Sequence, residues 1–170
     1  VIAWIVFVIY TTVGTRSGLP GNFLVSICVA IPFIYGSIAR TSEVKLYVLL
    51  SALMVFFSIT GREITKGIVD VEGDKTQNVK TLAVRYGSKN AAYAAALFYL
   101  AAVSLSPLPW FVGLVSVWYI PFVAVNDIGL AISSLMLVKD SSREEARKVK
   151  NTLLAWFVFG LLAYIAGVAR

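Results

Sequence analysis

The sequence predicts an all-α integral membrane protein, a bundle of transmembrane helices. Hydrophobic residues make up 59% of the chain and charged residues 14%, against roughly 45–50% and about 25% in soluble domains. The mean hydropathy is +0.83. The apolar residues are gathered in runs that approach the ~20 residues of a membrane span, and short polar links separate them. A helix satisfies every backbone hydrogen bond within such a run, as hydrocarbon requires.

We predict about six spans within one domain covering residues 1–170, at 1–14, 22–39, about 46–61, 88–106, about 111–138 and 151–169. Pro32 and Pro121 fall inside predicted spans and are expected to kink them. The alanine-rich run AAYAAAL at 91–97 predicts a helix face that packs closely against its neighbours. The third span is expected to continue as a helix into residues 62–87 and to break soon after Asp74.

The charged residues predict the orientation of the bundle. The net charge is +6. If the spans alternate, side A of the membrane receives twelve of the fifteen Lys and Arg residues, and side B receives only Arg40, Lys45 and Arg170. The positive-inside rule then makes side A cytoplasmic. The basic charge is a topology signal, and no nucleic-acid-binding motif accompanies it, so we expect no nucleic-acid partner.

The composition limits the chemistry that a site can use. The chain has no His and only one Cys, Cys28, which lies within an apolar run. A disulfide within the chain is therefore excluded, and the commonest metal ligand and general base is absent. A metal ion would have to be held by oxygen atoms, which favours Mg²⁺ over Zn²⁺.

The most polar stretch lies between two apolar runs, at residues 62–87, and contains four of the nine acidic residues. Asp70 and Asp74 are four residues apart, so on a helix they share a face with Lys66 and Arg62. Two such carboxylates can hold Mg²⁺ together with substrate phosphates. The same spacing also suits an ordinary solvated ladder of charges on a cytoplasmic loop, and spacing alone leaves both readings open.

The stretch REITKGIVDVEGDKTQNVKTLAVRYG closely resembles the second aspartate-rich motif of the UbiA-type intramembrane prenyltransferases. Within that family it is most similar to the archaeal digeranylgeranylglyceryl phosphate synthases, whose pattern is approximately REIxKDIxDxxGDxxxGxxTLP. The resemblance covers some 25 contiguous residues and rests on Arg62, Glu63, Ile64, Lys66, Ile68, Asp70, Gly73, Asp74, Thr81, Leu82 and Gly87.

The resemblance implies a bundle of nine transmembrane helices that binds Mg²⁺ and an isoprenoid diphosphate. By position, Asp70 and Asp74 would be the catalytic, metal-bridging carboxylates, and Lys80 and Arg85 would contact the diphosphate. Lys66 lies nearby and can bind the same phosphates through charge-assisted hydrogen bonds. The expected reaction transfers a geranylgeranyl-type group to a lipid acceptor, geranylgeranylglyceryl phosphate, on the cytoplasmic side of the cell membrane. Aromatic quinone precursors, haem and chlorophyll-type molecules are the alternative acceptors.

Three departures from the family pattern stand out. Gly67 replaces an Asp, and Asn78 replaces a Gly, although Asn also tolerates the left-handed backbone conformation. The family's first aspartate-rich motif does not occur in these residues. Because the chain begins at Val1 within an apolar run, we expect it to lack the N-terminal third of such an enzyme.

Asn126 and Asp127 lie within the fifth predicted span. They can line a substrate cavity, or they can serve helix packing through hydrogen bonds. A transporter would instead carry paired ionisable residues on several spans, whereas Asp127 is the one clear intramembrane charge. A CDP-alcohol phosphotransferase would need a DGxxAR core, which DVEGDKTQ does not contain.

Overall fold

The structure, a computed structural model, describes residues 18–168. Eight helices form this part of the chain: α1 (Leu19–Thr41), α2 (Leu46–Val69), α3 (Val71–Thr76), α4 (Leu82–Tyr86), α5 (Ser88–Leu105), α6 (Leu108–Phe111), α7 (Tyr119–Lys139) and α8 (Arg143–Val168). No strand occurs between residues 18 and 168. The all-α prediction is therefore confirmed, whereas the predicted span at 1–14 and residue Arg16 lie outside the described residues.

Five helical stretches are long and apolar enough to cross a membrane: α1, α2, α5 together with α6, α7 and α8. Successive spans alternate in direction, so α3, α4 and the α7–α8 link lie on the same side, which we continue to call side A. Many large apolar side chains point outward, among them Leu97, Phe111 and Leu135. Such a surface suits contact with lipid.

The core lies where α2 packs against α5, and it extends to α7 and α8. The alanine-rich face of α5 is buried, which confirms its predicted packing role. A buried hydrogen bond of 2.8 Å joins Thr65 of α2 to the Tyr99 hydroxyl of α5. Gly61 lets the Tyr99 ring approach α2, since a Cβ at this glycine would lie 2.5 Å from it. Small and hydroxyl-bearing residues thus hold the helices together where hydrophobicity alone cannot.

Two predicted boundaries were wrong. The fifth span begins at Tyr119 rather than near 111, because residues 112–118 leave the helical path and Gly113 adopts a φ of 70°. Pro121 consequently lies in the first turn of α7, where its missing N–H is not needed, and does not act as a mid-helix kink. The last helix begins at Arg143 rather than 151, so most of the predicted charged link forms its first two turns.

Candidate metal and diphosphate site

One face of α2 connects the membrane interior with side A. Residues three or four apart share a helix face. The deeper part of this face carries small and apolar side chains, and the part near side A is charged. We call this row the α2 stripe, and it consists of Ser51, Val55, Ser58, Arg62, Lys66 and Asp70.

The stripe continues into α3 without losing its helical spacing. α2 ends at Val69, and Asp70 joins it to α3 with φ −100° and ψ 9°. The Asp70 N–H still donates to the Lys66 carbonyl at 3.0 Å, and the Asp74 N–H donates to the Asp70 carbonyl at 2.9 Å. The two carboxylates therefore lie one turn apart on one face. The helix ends at Thr76, which confirms the predicted break.

Partial burial and the neighbouring Asp70 charge change the acidity of Asp74. Its pKa is raised above the ordinary value, first because it is partly buried and second because the Asp70 charge repels its ionised form. A hydrogen bond with Thr81 and the charge of Lys66 act in the opposite direction without cancelling the rise. A cation placed between these carboxylates would relieve their repulsion.

Thr81 reaches Asp74 because the chain turns back after α3. Asn78 adopts a φ of 55°, in the left-handed region that Asn tolerates, and the Val79 N–H donates to the Asp74 carbonyl at 2.9 Å. Thr81 also caps α4 by accepting a hydrogen bond of 3.3 Å from the Val84 N–H. Sequence reasoning missed the role of Thr81, although a Thr directly before a short helix is a recognisable capping signal.

The basic side chains of residues 62–87 differ in whether they are paired with a carboxylate. Glu63, 11% exposed, accepts a hydrogen bond of 3.3 Å from Arg62 and lies 3.6 Å from the Lys66 ammonium. Sequence reasoning did not assign Glu63 this role, although its spacing to Lys66 indicates an ion pair. Lys80 and Arg85 are exposed, and within residues 18–168 neither lies within 4.0 Å of a carboxylate oxygen. Both are exposed residues of the segment that follows Asp74.

Asp70 and Asp74 can supply only part of a metal ion's coordination shell. Within the described chain, no group of three or more His, Cys, Asp or Glu side chains is placed to hold a metal. Mg²⁺ commonly takes one or two protein carboxylates and completes its shell with water and substrate phosphate. Two carboxylates match that mode of binding.

A cavity of about 270 Å³ lies deeper in the bundle, between α1, α2, α7 and α8. Its walls are mainly apolar, with Phe33, Val55, Ile59, Val123 and Phe157 among them. The α2 part of the wall runs from Ser51 to Ile59, so the α2 stripe passes from this cavity directly to the charged residues.

The structure separates Asn126 from its neighbour Asp127. Asn126 lies in the cavity wall, whereas Asp127 is not part of it. The Asp127 carboxylate accepts hydrogen bonds from the Ser106 hydroxyl and, at 3.2 Å, from the Asn126 amide. The Tyr119 hydroxyl donates to the Ser106 carbonyl at 2.8 Å. Asp127 thus ties the end of α5 to α7, as expected of a packing residue.

Comparison with known proteins identifies the family of this chain. A profile described as the UbiA prenyltransferase family matches residues 1–159. The chain belongs to the UbiA prenyltransferase family. The resemblance that residues 62–87 carry is therefore confirmed over most of the chain, and membership of this family together with five apolar helices makes the chain an integral membrane protein.

Several similar proteins share one name. The chain is 41% identical over 153 residues to the digeranylgeranylglyceryl phosphate synthase of Archaeoglobus fulgidus and 34% identical over 150 residues to that of Methanocaldococcus jannaschii. Each alignment covers 88% of this chain and 52% of the relative. The chain thus spans about half the length of the curated relatives it matches.

A solved structure is similar throughout the chain. Work on it is described as "Structural and mechanistic insights into the biosynthesis of Digeranylgeranylglyceryl phosphate synthase in membranes". The TM-score is 0.87 at 32% identity, and the match covers 98% of this chain and 61% of the other. The helix arrangement described above is therefore that of this family.

Proposed function

We propose that the whole protein to which this chain belongs transfers a geranylgeranyl-type group from its diphosphate to geranylgeranylglyceryl phosphate. The product is an ether lipid precursor. The names of the similar archaeal proteins support this choice of acceptor. One observation carries the proposal: the α2 stripe joins two crowded carboxylates at side A to an apolar cavity in the membrane. A prenyl diphosphate needs both environments within one molecule's length.

Asp70 and Asp74 bind Mg²⁺ through their carboxylate oxygens, and Lys66, Lys80 and Arg85 donate hydrogen bonds to the diphosphate. Mg²⁺, when bound, neutralises charge on the leaving diphosphate. Lys and Arg side chains add charge-assisted hydrogen bonds to the same oxygens. A bound cation would favour the ionised carboxylate of Asp74 and so oppose the rise in its pKa.

The reaction exchanges one carbon–oxygen bond for another. The acceptor's hydroxyl oxygen bonds to C1 of the prenyl group, the bond from C1 to the diphosphate oxygen breaks, and the diphosphate leaves with that electron pair. The hydroxyl proton is released. Apolar walls such as Phe33 and Phe157 surround the part of the prenyl chain that lies farther from the diphosphate.

Side A is the cytoplasmic side in this proposal. Eleven Lys and Arg residues within the described chain lie at side A: Arg62, Lys66, Lys75, Lys80, Arg85, Lys89, Lys139, Arg143, Arg147, Lys148 and Lys150. Side B has Arg40 and Lys45 in the same part of the chain. This asymmetry is the one that the positive-inside rule describes.

The proposal is tested by measuring the rate of prenyl transfer by the whole protein in detergent or in lipid vesicles. Geranylgeranyl diphosphate and Mg²⁺ are supplied with geranylgeranylglyceryl phosphate or an aromatic acceptor, and wild type is compared with Asp70→Asn and Asp74→Asn. We expect ether formation with the lipid phosphate, and a loss of rate of about 100-fold or more in both variants. Asp140→Asn, which changes an exposed carboxylate elsewhere on side A, is the matched control and should retain the wild-type rate.

The site, the acceptor and the function would each be overturned by a different result. Full activity of both Asn variants would overturn the site, and transfer only to an aromatic acceptor would overturn the choice of acceptor. Absence of transfer to every acceptor would overturn the function itself.

A further inference from the structure

Arg62 lies deeper in the bundle than the carboxylates of the proposed site. It precedes Asp70 by eight residues, which is about 12 Å along a helix. Ile59, a cavity residue, lies one turn below Arg62. Arg62 therefore occupies the α2 stripe between the carboxylates and the cavity.

The Arg62 guanidinium uses little of its hydrogen-bonding capacity. Its side chain is 23% exposed, and one terminal nitrogen donates to Glu63 at 3.3 Å. Its Nε is buried and has no hydrogen-bond partner in the part of the chain that the structure describes. A guanidinium carries five N–H donors in a planar fork, and a buried donor without an acceptor costs stability. This arrangement favours an oxyanion as ligand.

The charges around Arg62 also favour an anion. Glu63 is shared by two cations, Arg62 and Lys66, so one positive charge remains uncompensated within this group. Lys66 is 48% exposed and lies one turn from Asp70, within reach of the diphosphate. Arg62 is less exposed and lies two turns from Asp70, so it is less well placed than Lys66 for an anion bound at Asp70.

The distribution of charge in the two substrates indicates which anion Arg62 would bind. A prenyl diphosphate carries all its charge at one end, and in the proposed function this end lies at Asp70 and Asp74. The rest of the donor is apolar. A phosphate at the depth of Arg62 must therefore belong to the second substrate, whose reacting hydroxyl must approach the donor just below the diphosphate.

We propose that Arg62 binds the phosphate of the lipid acceptor and thereby sets specificity for a phosphorylated acceptor. This inference rests on the proposed function. The planar fork matches two phosphate oxygens at once, which a Lys ammonium cannot do. Arg62 is a specificity residue that holds the acceptor while the chemistry occurs nearer Asp70.

The test measures how the whole protein uses each substrate separately. The KM values of donor and acceptor are determined for wild type, Arg62→Gln and Arg62→Lys, with Arg147→Gln as a control at an exposed arginine on the same side. Binding of the acceptor without donor is measured by calorimetry, so one readout does not require turnover. An acceptor with the phosphate removed is compared in parallel.

We expect the acceptor KM and dissociation constant to rise about tenfold or more in Arg62→Gln, the scale of a charge-assisted hydrogen bond, while the donor KM is unchanged. Arg62→Lys should recover only part of the loss, and the dephosphorylated acceptor should not distinguish wild type from Arg62→Gln. An equal rise in donor KM, or an unchanged acceptor KM in both variants, would overturn the inference. Transfer by wild type in that same experiment keeps the proposed function intact.

Discussion

Two polar segments lie on side A, and they differ in how their carboxylates are satisfied. The first polar segment (residues 70–87) joins α2 to α5, and the second polar segment (residues 139–150) joins α7 to α8 and includes the first turns of α8. Both are rich in Lys, Arg, Asp and Glu. Composition alone would assign them the same role.

Their acidic side chains behave in opposite ways. The pKa of Asp140 is lowered because the Ser142 backbone N–H, at 2.9 Å, and the Ser142 hydroxyl stabilise its ionised form. The pKa of Asp74 is raised by partial burial and by the Asp70 charge. A carboxylate that already has donors gains little from a further partner, whereas two crowded carboxylates gain from an added cation. The difference favours a ligand at the first segment, whereas the second segment caps the start of α8.

The first segment is also fastened to the bundle. Gly18, at the start of α1, has a φ of 68°, and a Cβ there would lie 2.2 Å from the Lys80 carbonyl oxygen. Ala83, three residues after Lys80, is buried in the core cluster. Close packing at both points fixes the path by which Thr81 reaches Asp74.

Among the substitutions that test the contrast between the two polar segments, Gly18→Ala is expected to have the largest effect. The substitution combines an unfavourable positive φ with a clash against backbone, and should lower the free energy of unfolding by about 3 kcal/mol. Thermal unfolding in detergent measures it. Gly73→Ala is the matched control, because a Cβ in that exposed turn of α3 meets nothing within 4 Å, and should be neutral or stabilise by up to about 1 kcal/mol. Equal melting of the two variants would show that Gly18 does not anchor the segment.

How much the sequence could predict depends on the range of each interaction. The spans containing Ile64 and Ala95 follow from apolar runs and a small-residue face, because hydropathy and side-chain size are local properties. The Asp70–Asp74 pair follows from helical spacing. The start of α7 did not follow, since residues 112–118 are as apolar as the helix after them and hydropathy does not record a change of backbone path.

Contacts between distant residues escaped prediction for a different reason. The pairing of Thr81 with Asp74 depends on the turn at Asn78 and on packing against Gly18. The cavity combines residues of four helices, so Asn126 could be proposed for its wall but not distinguished from Asp127. Such features arise only when helix rotation and crossing are fixed.

The next largest effect is expected in the pKa values of the side-chain carboxyls of the two segments. Carbon-13 NMR of the side-chain carboxyls, without metal, should place Asp74 above and Asp140 below the ordinary pKa of 3.8. Asp70→Asn should lower the pKa of Asp74, because it removes the repelling charge, and leave Asp140 unchanged. Added Mg²⁺ should also lower the pKa of Asp74.

The signs for stability follow from the same shifts. The contribution of Asp74 to stability is fully present below its ordinary pKa and is lost as pH rises through its raised value in the folded protein. The contribution of Asp140 is present above the ordinary pKa and is lost as pH falls through its lowered value. A titration of Asp74 that does not respond to Asp70→Asn would mean that the two carboxylates do not interact.

The smallest effect is expected from Ser142→Ala in the second segment. The Ser142 hydroxyl accepts a hydrogen bond of 3.3 Å from the Glu145 N–H and caps the start of α8, so its loss should cost about 1 kcal/mol of stability. The pKa of Asp140 should move up toward its ordinary value, because the hydroxyl no longer supports the carboxylate. Prenyl transfer and the titration of Asp74 should remain those of wild type. A slower transfer rate in this variant at full folding would show that the second segment also contributes to the site, and the contrast between the two segments would then be wrong.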